Sequence, residues 1–124
     1  MRKAGILNAE LAAAINRLGH SDTFAVADCG LPIPDEVEVI DLALIFGVPS
    51  FESVVRAVLA EVVVQEATIA DTTPDAVRTL IAAPAVQEVS HEKLKARIAD
   101  VKFVIRTGET TPFANVIFTS GVAF

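Results

Sequence analysis

Apolar residues recur at helical spacing after Asn8, where Leu11, Ile15 and Leu18 share one face. Asn8 is a good N-cap, and Glu10 lies in the first turn, where the helix dipole favours an acid. Gly19 is the expected stop, followed at once by His20. The pattern then changes to a short apolar run, Thr23 to Ala27, which reads as a buried strand ending at Asp28. Cys29-Gly30-Leu31-Pro32-Ile33-Pro34 cannot continue a regular element and predicts a stiff loop. Val37 to Ile40 reads as a second strand, and Gly47-Val48-Pro49 breaks the chain. Ser50 caps a helix from Phe51 to Ala60 that turns Val54, Val55, Val58 and Leu59 inward.

The second half repeats this alternation. Val62 to Ala70 is rich in β-branched residues and predicts a strand. Thr73-Pro74-Asp75 starts a helix with proline at its first position, its apolar face being Val77, Leu80 and Ile81, and Pro84 ends it. Val86 to Val89 is a short strand, and Ser90 caps a helix holding His91, Leu94, Lys95 and Ile98. Lys102 to Arg106 and Asn115 to Thr119 are strands around a turn from Thr107 to Pro112. About six strands alternating with four helices predict a layered α/β domain. No repeat or long linker divides it, so a single domain over residues 1–124 is expected.

Composition narrows the function. Hydrophobic residues make up 52 % of the 124, and the mean hydropathy is +0.53. A small domain so rich in apolar residues is expected to bury some of them between subunits. The net charge of -6, with no basic cluster, argues against nucleic acid and against an anionic membrane. A neutral ligand suits such a chain better than a phosphorylated one. The single cysteine, Cys29, excludes an intrachain disulfide and fits a reducing cytoplasm. The chain shows no signal-peptide pattern at Met1 to Leu7 and no apolar stretch near the ~20 residues of a membrane span.

No phosphate-binding glycine loop, CxxC pair or HExxH motif occurs. Two histidines and one cysteine are a thin basis for a metal site. Cys29 reads either as a nucleophile or as a small buried apolar residue. Of the polar residues at element ends, His20 is a proton carrier near neutral pH or a helix-end residue favoured by the dipole. Asp28 follows a strand, where α/β sheets bind ligands, but also suits an Asx-turn. His91 and Lys95, four apart, face one way, either towards a ligand hydroxyl or into solvent beside Glu92 and Lys93. Phe113 is either a flat apolar surface for a ring or core, and Asn115 either bridges two hydroxyls or holds a turn.

Taken together, Leu18-Gly19-His20-Ser21-Asp22, Asp28 through Pro34, Gly47-Val48-Pro49-Ser50-Phe51, His91-Glu92, and Ile105 through Glu109 with Pro112 to Asn115 resemble the D-ribose pyranase / fucose mutarotase family nearly end to end. The Gly-Leu-Pro-Ile-Pro loop is similar to the ribose branch. The resemblance implies a three-layer α/β/α fold with a mixed sheet of about six strands. It implies interconversion of pyranose and furanose forms of free ribose, with no metal and no organic cofactor. It also implies a ring-shaped homo-oligomer, such as a decamer, with the site at a subunit interface. His20 would be the proton donor, while Asp28, His91, Lys95, Phe113, Ala114 and Asn115 would hold the sugar. Within the same resemblance, a fucose-type mutarotase and a non-catalytic sugar-binding accessory protein stay open. Two departures stand out: Phe113 occupies a position where the family usually has tyrosine, and the segment from Ala70 to Val89 is shorter than in typical members.

Overall fold

A computed structural model describes residues Met1–Phe124. One sheet of six strands organises it, in the order β2-β5-β1-β6-β3-β4. These are β1 (Thr23–Ala27), β2 (Glu38–Asp41), β3 (Val64–Ala70), β4 (Val86–Val89), β5 (Phe103–Arg106) and β6 (Val116–Ser120). The β1/β5, β2/β5 and β3/β4 pairs are parallel, whereas β6 runs antiparallel to both β1 and β3. All strands but β6 therefore share one direction, and their carboxyl ends lie along a single edge. A bulge in β3 shifts the register between Val64 and Glu66.

Alternation along the strands gives the sheet two buried faces. Phe24, Val26, Ile40, Ala67, Ile69, Phe103, Ile105, Val116 and Phe118 pack beneath α1 (Ala9–Asn16), α2 (Phe51–Leu59) and α3 (Asp75–Arg78). The rings of Phe24 and Phe103 stack at 5.4 Å. The opposite face carries smaller residues, among them Ala25, Ala27 and Ala70, so that α4 (His91–Arg97) and the loop from Leu31 to Val37 can approach closely. Leu94 and Ile98 fill that side. The result is the three-layer α/β/α arrangement with a mixed sheet.

Several boundaries differ from the sequence expectation, each for a local reason. α1 stops at Asn16 rather than at Gly19. Leu18 N–H reaches back only to Ile15 O, and Gly19 N–H donates to Asp22 Oδ2 at 2.8 Å, which draws the backbone out of the helix. β3 begins at Val64, two residues late, because Val62 N–H still bonds Val58 O and finishes α2. Pro74 is the N-cap of α3 and not its first helical residue, and α3 is one turn long. Strands β2 and β6 each start one residue later than expected. The caps Asn8, Ser50 and Ser90 accept from Leu11, Ser53 and Lys93 N–H as their residue types predict.

Candidate active site

The shared carboxyl edge of the strands is where this chain concentrates polar groups. Asp28 follows β1, Thr107 to Glu109 follow β5, Ser90 and His91 follow β4, and Asn115 precedes β6. A cavity of ≈ 350 Å³ opens there, with Asp28, Leu31, Pro32, His91, Glu109 and Phe113 among its walls.

Asp28 is the most constrained of these side chains. Its Oδ1 accepts from Gly30 N–H at 2.9 Å, an Asx-turn that starts the proline loop. Its Oδ2 accepts from Asn115 Nδ2 at 3.0 Å, and its own N–H donates to Asn115 Oδ1 at 2.9 Å. Asn115, only 1 % exposed, therefore clamps Asp28 and does not itself line the cavity. Asp28 thus makes the Asx-turn and also lines the cavity. Ala114 is fully buried in the first core.

His91 is the first residue of α4, and its ring meets that of Phe113 edge-on, with centroids 4.9 Å apart. Its Nδ1 is buried without a hydrogen-bond partner. Phe113 lines the cavity and is half-buried, with its backbone in the left-handed region at φ 65°. Lys95 Nζ turns to Glu92 Oε1 at 2.7 Å, so its ammonium is spent on the helix surface and does not line the cavity.

The turn after β5 holds the far wall. Thr107 Oγ1 donates to Ala27 O at 2.8 Å and accepts from Glu109 N–H. A Cβ on Gly108 would fall 2.5 Å from Val48 O and 2.6 Å from Ile45 O, so only glycine lets the 44–49 segment pack here. Glu109 Oε1 accepts from Phe51 N–H, at the first turn of α2, and Oε2 from the N–H and hydroxyl of Thr111. Burial opposes its charge, but these hydrogen bonds outweigh burial and hold its carboxyl below the usual glutamate value. Sequence reasoning passed over Glu109. The available signal was an acid in a short turn between two buried strands.

His20 lies elsewhere. It sits before β1, at the opposite edge of the sheet, and β1 puts roughly 15 Å of strand between it and Asp28 at ~3.3 Å per residue. Its position within a Gly19–Asp22 turn, closed by Asp22 N–H to Gly19 O, places it on the surface, with Nε2 3.0 Å from Gln65 Oε1. No group of three or more His, Cys, Asp or Glu side chains is arranged to hold a metal ion, and no helix is long and apolar enough to cross a membrane.

A small open cavity walled by a carboxylate, an imidazole and an aromatic ring, at the strand ends of a three-layer α/β sheet, defines a binding protein for a small polar molecule. The chain belongs to the RbsD / FucU transport protein family, which it matches over residues 1–123. It is 60 % identical over 124 residues to a D-ribose pyranase of Corynebacterium glutamicum, with each chain covered in full. It is 54 % identical over 129 residues to a D-ribose pyranase of Cutibacterium acnes, again with both covered in full. Its fold matches that of Bacillus subtilis RbsD, whose structure was determined in complex with D-ribose, with a TM-score of 0.93, 39 % identity and full coverage of both chains.

Proposed function

We propose that the protein is a D-ribose pyranase, which interconverts the pyranose and furanose forms of free ribose. The observation that carries this reading is the 60 % identity, without truncation on either side, to a pyranase. The cavity chemistry supports it: Asp28 offers an oriented carboxylate to sugar hydroxyls, and the Phe113 ring offers an apolar wall.

Ring opening needs a proton delivered to the ring oxygen and another removed from the anomeric hydroxyl. His20 as imidazolium gives its proton to the ring oxygen while the bond from that oxygen to the anomeric carbon breaks, the electron pair staying on oxygen. The anomeric hydroxyl loses its proton to water as the carbonyl forms. Reclosure through a different hydroxyl, with the proton movements reversed, gives the furanose. No change of oxidation state occurs.

His20 and Asp28 lie at opposite edges of one sheet. The reading therefore requires that a second copy of the chain bring its His20 to the Asp28 cavity of the first, in a homo-oligomer, within the cytoplasm. Exposed Leu44, Ile45 and Phe46, next to the cavity edge, supply apolar surface for such contact.

The test is magnetisation-exchange NMR of the anomeric signals of ribose, with and without protein. His20→Ala should fold normally and lose on the order of 10²–10⁴ of the acceleration, the range of general acid–base catalysis. A near-normal exchange rate in that variant overturns the role of His20. Ribose binding without any exchange in the unaltered protein would make it a sugar carrier instead.

A further inference from the structure

His20 is held from two sides. Its turn is fixed by Asp22, whose Oδ2 accepts from Gly19 N–H and whose N–H bonds Gly19 O. Ser21, next in the chain, is in the left-handed region at φ 69°, and its N–H bonds Ser120 O at the end of β6. This backbone is locked to the sheet, so the imidazole projects from a rigid base. The second hold is on the ring: Nε2 lies 3.0 Å from Gln65 Oε1.

Gln65 reaches His20 because of the bulge in β3. The register shift falls between Val64 and Glu66, and Gln65 is the residue it leaves out of the pairing with β6. A bulge re-aims a side chain, here one that simple alternation would commit to a face of the sheet. Gly121, at the end of β6, packs on this point: a Cβ there would lie 3.2 Å from Val63 Cγ1 and 3.5 Å from Gln65 Cβ.

We propose that Gln65 is the positioning residue for His20, its Oε1 accepting the Nε2 proton and leaving Nδ1 as the nitrogen that exchanges a proton with the sugar. With its oxygen towards the ring the amide can only accept, and this orientation selects the Nε2–H tautomer of the neutral imidazole. Nδ1 makes no hydrogen bond within the chain. The inference rests on His20 being the acid/base group. Around the turn the charged groups are Arg17, Asp22, Lys102 and, beside Gln65 on β3, Glu66. Asp22 and Lys102 face each other at 3.7 Å, and none of these side chains is hydrogen-bonded to the imidazole. The Gln65 amide is thus the one partner of the ring, and a neutral one.

The test uses ¹⁵N-histidine-labelled protein and two variants. Gln65→Met keeps the length and removes the acceptor, and Gln65→Glu keeps an acceptor and adds charge. The unaltered protein should show His20 as the Nε2–H tautomer alone. Gln65→Met should release the ring into a tautomer mixture and slow ribose exchange by about tenfold, the loss of roughly one hydrogen bond. Gln65→Glu should restore the tautomer and move the His20 titration, and the matching limb of the pH–rate profile, to higher pH, because a carboxylate favours imidazolium. An Nδ1–H tautomer in the unaltered protein, or a Gln65→Met protein with unchanged His20 spectrum and rate, overturns the assignment. Failure of the catalytic reading looks different: His20→Ala would then exchange ribose normally, whatever the tautomer shows.

Discussion

Phe113 carries both an unusual backbone and an unusual side chain. A bulky residue at φ 65° is a steric outlier. The surrounding turn holds it there, with Asn115 N–H on Phe113 O and Ala114 N–H on Thr111 O. Its ring presents only carbon to the cavity. Phe113→Tyr should therefore add a hydrogen bond to a bound sugar, raising ribose affinity or exchange rate by up to roughly tenfold. Because the ring is half-buried at a cavity wall, the added hydroxyl should not lower the thermal midpoint. A lower midpoint with unchanged exchange would place the ring tip in the core. At this scale the sequence is legible where a residue is rare or locally paired. His91 is one of two histidines, and Asp28 with Gly30 is a local turn. The clamp between Asp28 and Asn115 spans 87 positions and is invisible to any local rule. The same holds for Gln65, 45 positions from His20 and placed by a bulge that no propensity announces.

Between elements, Glu109 does the joining. One carboxylate ties the start of α2 to the turn after β5, and its carbonyl accepts from Cys29 N–H in the loop after β1. Three segments, two of which border the cavity, thus converge on a residue whose carboxyl is held below its ordinary value of 4.5. A depressed folded-state value stabilises the fold above the ordinary value, and that contribution is lost as pH falls through the lower, folded-state one. Glu109→Gln should cost about 1–2 kcal/mol near neutral pH, through weakened and mismatched hydrogen bonds. It should also flatten the fall of thermal midpoint on the acid side of 4.5. Parallel midpoint-versus-pH curves for the two proteins would show that Glu109 is not the linking charge. Element type and order were readable from periodicity and caps. Boundaries failed where a side chain took over a backbone partner, as Asp22 does at the end of α1.

At the scale of the whole molecule, the separation of His20 from the cavity makes the proposed function depend on an assembly. Light scattering should give a mass several times 13.1 kDa at micromolar concentration. His20→Ala and Asp28→Ala proteins, each inactive alone, should regain exchange when unfolded and refolded together, because mixed assemblies rejoin an intact His20 to an intact Asp28. No recovery from a well-folded mixture would place both groups in one chain's site. Phe46, 83 % exposed, and Leu44, 77 % exposed, are the side chains such contact should cover. Phe46→Asp should therefore shift the mass downward. The topology has its own consequence for how the chain is made. β6 is the last strand, yet it alone joins the β2-β5-β1 half of the sheet to the β3-β4 half. Until β6 is in place the two halves stay unjoined, with open edges at β1 and β3. Folding is then a closing step dominated by contacts distant in sequence, and slow for its size. Loss of even the last strand's few residues would leave two unjoined half-sheets, prone to pair with other chains before they find their own.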